Sequence, residues 1–167
     1  MGFELVVFRH GPAEERDPRR WPNDRERPLS PKGVKETQKA ARGLAQLVPS
    51  PGPILASPAA RAWKTAEILR GQFARPPPLA AWEELLPDAD TEPVLARLQE
   101  RRFPRPPIVV GHEPLLGELV ALSIAGDAVS SVRLSRAGAA RVRFPIGPLP
   151  GAGVLEWLLT RDQLSRL

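Results

Sequence analysis

Three short apolar runs constrain this chain more than any other feature: Leu5-Val6-Val7-Phe8, Ile54-Leu55-Ala56 and Ile108-Val109-Val110-Gly111. Each is continuous rather than alternating, the pattern of a strand buried on both faces, and each is followed by polar or basic residues and a helix start. Arg9-His10-Gly11 closes the first run, Ser57-Pro58 with Arg61 the second, and His112-Glu113-Pro114 the third. Buried strands separated by helical segments specify an α/β domain, and open α/β sheets bind ligands beyond the carboxyl ends of their strands. The only two His of the chain and two of its Arg therefore fall where a ligand is expected.

The segments between the runs carry helix signals. Ser30-Pro31 reads as an N-cap with Pro at the first helical position, after which Val34, Thr37, Ala41, Leu44, Ala45 and Val48 share one face until the Pro-rich stretch 49–53. Ser57-Pro58 is expected to open a second helix by the same chemistry, with Ala62, Ala66, Leu69 and Phe73 facing inward and Pro76 as the stop. A third helix is expected over 92–102, and a fourth from Pro114 to Ile124 with Leu115, Leu119 and Leu122 or Ser123 inward, ended by Gly126. Ala139 to Phe144 and Val154 to Leu159 read as an antiparallel strand pair at one sheet edge, around the Gly- and Pro-rich 147–153. The expected fold is a three-layer α/β/α sandwich with a mixed, mainly parallel central sheet, in a single domain spanning 1–167.

Composition removes several kinds of chemistry. The absence of Cys excludes thiol catalysis, thiolate zinc and a disulfide framework, and suits a reducing compartment. With two His, a zinc site would need carboxylates to complete it, so no metal is expected. There is no basic n-region and no apolar stretch near the ~20 residues of a membrane span, which makes a cytoplasmic, membrane-free protein the expectation. The net charge of +5 comes from scattered Arg rarely next to aromatics, which speaks for a solvated surface over a nucleic-acid patch.

Arg61 is conspicuous because the first turn of a helix disfavours a cation by roughly 0.3 to 1 kcal/mol. An anion held at that helix N-terminus would reverse the penalty, whereas an exposed surface Arg is the plain alternative. His10 and His112 occupy loop-like positions at the ligand edge, where a satisfied structural imidazole is the alternative, and Gly11 could serve only a tight turn.

Arg9-His10-Gly11, Leu29-Ser30-Pro31-Lys32-Gly33, Ser57-Pro58-Ala59-Ala60-Arg61-Ala62 with Thr65-Ala66, and Gly111-His112-Glu113-Pro114 together resemble the histidine phosphatase superfamily over nearly the whole chain. The short length, Arg27-Pro28-Leu29-Ser30, Glu84-Leu85-Leu86-Pro87 and the Gly-His-Glu-Pro form are similar to the SixA-type phosphohistidine phosphatases. The resemblance implies that His10 takes up the phosphoryl group while Arg9, Arg61 and His112 surround its oxygens, with no cofactor or metal. It further implies that Gly11 lets the backbone approach the phosphate and that Arg27 closes over the site with Asp24 as partner, a surface ion pair being the alternative. Superfamily members commonly draw a general acid from the segment after the second Arg, where Glu83, Glu84, Asp88 and Asp90 lie; Glu84 is the candidate, although SixA-like members can lack a dedicated acid. The implied activity is a metal-independent phosphatase with a phosphohistidine intermediate, acting on phosphohistidine of a protein. Small phosphorylated metabolites are the alternative substrates, and a non-catalytic phosphate- or nucleic-acid-binding module is the alternative of another class.

Overall fold

The computed structural model describes residues 2–128 and 131–167. In chain order the elements are β1 (Phe3–Arg9), α1 (Pro31–Leu47), β2 (Ile54–Ala56), α2 (Ala60–Arg70), β3 (Leu79–Ala81), α3 (Glu92–Gln99), β4 (Ile108–Gly111), α4 (Leu115–Ala125), β5 (Ala139–Phe144), β6 (Val154–Leu159) and α5 (Arg161–Leu164). Short 3-10 turns lie at Asp24–Glu26 and Glu83–Leu85. The six strands form one sheet in the order β3-β2-β4-β1-β5-β6. β1 to β4 run parallel, β5 is antiparallel to β1, and β6 is antiparallel to β5 at the edge. The sheet is mixed and mainly parallel, as the sequence implies.

The continuous apolar runs are explained by helices on both faces. Leu5, Val7, Leu55 and Val109 pack with Leu95 and Leu98 of α3 and Leu116, Leu119 and Val120 of α4. Their alternates Val6, Phe8, Ile54, Ala56, Ile108 and Val110 pack with Ala40, Ala41 and Leu44 of α1, Ala62, Ala66 and Leu69 of α2, and Leu164 of α5. Burying one such Val, Leu or Phe side chain contributes about 1.5 to 3 kcal/mol.

Helix ends follow local chemistry, with exceptions. Ser30 accepts a hydrogen bond from the Gly33 N–H (2.9 Å) ahead of Pro31, and Gly126 ends α4 in the left-handed region at φ 80°. Ser57-Pro58 does not open α2: the helix begins at Ala60, its N-cap is Ala59, and no side chain caps it. Phe73 is buried as expected but lies beyond the helix, which stops at Arg70. α3 ends at Gln99 rather than 102, ahead of the Phe103-Pro104 step that disfavours helical backbone.

Gly11 is explained by packing rather than by approach to a ligand. A Cβ there would overlap Thr37 Oγ1 of α1, whose hydroxyl is fixed by donation to the Gly33 carbonyl (2.7 Å). Its own N–H donates to Thr65 Oγ1 of α2 (3.1 Å), so Gly11 fastens the end of β1 between two helices. Gly11→Ala is therefore expected to destabilise by about 1 to 3 kcal/mol through overpacking, and Thr37→Ala in the same chain to restore part of the loss. Denaturant unfolding of the single and double variants measures this, and an unchanged midpoint for Gly11→Ala would refute it.

Candidate active site

Strand register assembles the site. Arg9 of β1 pairs with Gly111 of β4, and the His10 N–H donates to the Gly111 carbonyl (2.9 Å), so the two His are the next residues out of adjacent parallel strands. Their ring centroids are 5.0 Å apart, tilted by 58°. On the other side of β4, Ala56 pairs with Val110, and the Ser57 N–H donates to the Val110 carbonyl (2.9 Å). The first turn of α2 then delivers Arg61. Arg9, His10, Arg27, Arg61 and His112 all line one cavity of about 440 Å³.

The His10 imidazole is buried, and its Nδ1 lies 2.7 Å from the Gly11 carbonyl oxygen. A carbonyl only accepts, so Nδ1 carries the proton and Nε2 keeps its lone pair. Burial pushes the ring's pKa down to about 3; the Gly11 bond opposes this, and Arg61, Arg9 and Arg27 add to it. A neutral ring with a bare Nε2 is the form that can attack phosphorus. His112 is buried as well, with Nε2 2.9 Å from Ser57 Oγ and no protein partner at Nδ1. Burial, then His10 and Arg61, pushes its pKa down to about 2.

The arginines are held from behind. Arg61 Nη1 donates to the Asp24 carbonyl (2.9 Å) and Nη2 pairs with Asp24 Oδ2 (3.1 Å), while Arg27 Nε donates to Asp24 Oδ1 (2.8 Å) and Nη1 to the Glu14 carbonyl (2.7 Å). The Arg27 bond, aided by the Arg61 charge, holds the Asp24 carboxyl below its usual range despite some burial. Arg9 Nη1 donates to the Leu134 carbonyl (2.8 Å). Arg9 Nε, Arg61 Nε and His112 Nδ1 are buried without a protein hydrogen-bond partner, and all three belong to side chains lining the cavity. Buried polar atoms are rarely left unpaired, and a phosphoryl dianion offers acceptors in the charge-assisted form that suits guanidinium.

Glu84 is not brought to this cavity. Its Oε2 accepts from Arg97 Nη1 at 2.6 Å, and that guanidinium stacks 4.3 Å from the Trp82 ring, a contact 13 residues along the chain that sequence spacing does not reveal. Gly11 does not line the cavity either. Arg136 and Glu113 do line it. Glu113 Oε1 accepts from the Gly117 N–H (2.9 Å), and burial raises its pKa against the opposing Arg9 charge. Its place directly after His112 was the signal for it; Arg136 follows no motif. Among the described residues no three His, Cys, Asp or Glu gather as a metal-binding group, and no helix is long and apolar enough to cross a membrane.

The sequence pattern of the histidine phosphatase superfamily (branch 1) matches residues 5–86. An uncharacterized protein of Picosynechococcus sp. is 36% identical over 140 residues, covering 81% of this chain and 82% of that one. The fold superposes on the protein histidine phosphatase SixA in complex with tungstate with TM-score 0.80 and 27% identity, covering 97% of this chain and 99% of that chain. A SixA-group chain from Agrobacterium tumefaciens superposes with TM-score 0.77 at 22% identity, covering 95% and 97%, a likeness of fold.

Both imidazoles are expected to stay neutral to below about pH 5, where an ordinary ring titrates at 6.5. The unfolded chain takes up these protons first, so their contribution to stability is complete above about 6.5 and is lost as pH falls toward the folded values. NMR titration of the two His ring signals in the free protein checks this, and a ring titrating at the ordinary value would overturn it.

Proposed function

The chain belongs to the histidine phosphatase superfamily and is a phosphatase, and on that premise we propose that it hydrolyses phosphohistidine on a protein, through a phosphohistidine intermediate at His10 and without a metal ion. The observation that carries the proposal is the fixed His10 tautomer, with Nδ1–H on the Gly11 carbonyl and Nε2 free. The Nε2 lone pair forms a bond to phosphorus as the substrate's P–N bond breaks, and the departing imidazole, protonated beforehand on its other nitrogen, takes that electron pair and leaves as the neutral ring. Water then attacks the phosphorus as the His10–phosphorus bond breaks, the bonding pair returns to Nε2, and the water's proton passes to a phosphate oxygen, releasing phosphate and the neutral ring. Arg9, Arg27, Arg61 and His112 supply preorganised charge and N–H donors to the transferring group, the kind of contact whose loss costs about 10² to 10³ in kcat. SixA as a structural neighbour supports the substrate class.

The engagement of Glu84 by Arg97 also favours a P–N substrate, because a leaving imidazole needs less help from a dedicated acid than an alkoxide does. One observation favours a second reading as a phosphomonoesterase of small metabolites: Glu113 lines the cavity with its carboxyl pKa raised by burial, as suits a proton donor.

Brief exposure to a labelled phosphodonor in the presence of a chelator is expected to leave label on His10, and His10→Ala to lose both label and turnover while remaining folded by circular dichroism. Turnover by His10→Ala, or activity lost to the chelator and regained with a divalent ion, would contradict the mechanism. Substrate class is read with Glu113→Gln. Hydrolysis of a phosphohistidine peptide should change less than about threefold, whereas a loss of about 10² or more in kcat with an alkyl phosphate that is otherwise turned over well would assign the second reading.

A further inference from the structure

We propose that Ser57 is a positioning residue for His112, holding the ring in the tautomer that carries its proton on Nδ1 so that an N–H, and not a lone pair, meets the transferring phosphoryl group. The catalytic consequence rests on the phosphoryl-transfer reading above; the tautomer does not.

Ser57 is the first residue beyond β2 and is fully buried. Its hydroxyl does not cap α2, whose N-cap is Ala59. Instead Oγ sits 2.9 Å from His112 Nε2 and accepts from the Ala59 N–H at 3.3 Å. One of these two contacts is a donor by necessity, so the hydroxyl proton has a single acceptor to reach, and that is Nε2. The opposite arrangement, with the proton on Nε2, would give Oγ two donors, leave its own proton unpaired in a buried place, and turn a bare Nδ1 toward an anion. With Nε2 accepting, the one proton of a neutral ring resides on Nδ1. That nitrogen is the buried atom of His112 without a protein partner, on a side chain that lines the cavity beside His10 and Arg61. A fixed backbone holds the hydroxyl in place, because the Ser57 N–H is bound to the Val110 carbonyl one residue before Gly111-His112.

The chain's two His make the test direct, with His10→Ala leaving a single ring for assignment. In nitrogen-15 spectra of the wild-type protein His112 should show a protonated, pyrrole-type Nδ1 and a pyridine-type Nε2. Ser57→Ala should populate the Nε2–H form and raise the inhibition constant of inorganic phosphate by about 10-fold or more, as expected when a donor facing the anion is replaced by a lone pair. A wild-type His112 protonated on Nε2 would overturn the proposal whether or not the variant folds. So would a folded Ser57→Ala protein with the Nδ1–H tautomer and phosphate inhibition unchanged. An Nδ1–H tautomer in a protein without phosphatase turnover would uphold the role of Ser57 and count against the functional reading instead.

Discussion

Everything at the site depends on how β1 lies against β4. Their register sets Val6 opposite Ile108 and Arg9 opposite Gly111, and since both strands run the same way, whatever follows them emerges at one edge. Both faces of β1 are apolar, so polarity alone cannot forbid a one-residue slip. Volume can. Phe8 points to the side where α1 and α2 present Ala40, Ala41, Ala62 and Ala66, and Leu5 and Val7 point to the side filled by leucines of α3 and α4. A slip would drive Phe8 into the leucine layer and leave a void among the alanines, and overpacking and cavities each cost kcal/mol in a close-packed core. The small residues of two helices thus fix the register on which the separation of the two imidazoles depends.

Once register has gathered the side chains, electrostatics determines their states. Burial does most to disfavour a proton on either imidazole; Arg61, Arg9 and Arg27 add to it at His10, and the neighbouring ring, Arg61 and Arg9 add to it at His112, so the charges that would hold a phosphoryl group also help keep His10 a free base. Such a cluster needs an anion of its own to be tolerated. Asp24 meets that need by binding Arg27 and Arg61 from the outer side, which leaves Arg61 Nε unpaired. It also resolves the oddity of a cation in the first turn of α2, since the opposing carboxylate offsets the helix dipole there.

What could be read from the sequence was what depends on short-range pattern. Continuous apolar runs gave the buried strands, Ser30-Pro31 and Gly126 marked helix ends, and the strand-end motifs located His10, Arg61 and His112. What escaped was set by partners distant in the chain. β3 is three residues with no β-branched side chain, defined only by pairing with β2, and α5 is four residues held by a Thr160–Gln163 capping box and by burial of Leu164. Glu84 carries the right functional group in the expected segment, but Arg97 claims it. Ser57 read as a helix cap because Ser-Pro so often is one; the hydroxyl faces an imidazole 55 residues away, a relation that exists only once β2 has paired with β4.

The two rings are given opposite hydrogen-bonding polarity by what binds their far nitrogens. A backbone carbonyl at His10 Nδ1 can only accept, which leaves a lone pair at the other end of the ring. A hydroxyl at His112 Nε2 can donate, and the Ala59 N–H at Ser57 Oγ favours that direction, which leaves a proton at the other end. Neither outcome requires a charged imidazole, and burial, with guanidinium groups close by, disfavours a charge on either ring. On the proposed reading, a neutral nucleophile and a neutral donor on rings whose centroids lie 5.0 Å apart are thereby distinguished by hydrogen bonding alone. Gly11 follows β1, the strand that carries His10, and Ser57 follows β2, the other neighbour of β4, so the β1–β4 pairing brings the imidazoles together and the β2–β4 pairing sets the hydroxyl that gives His112 the opposite polarity.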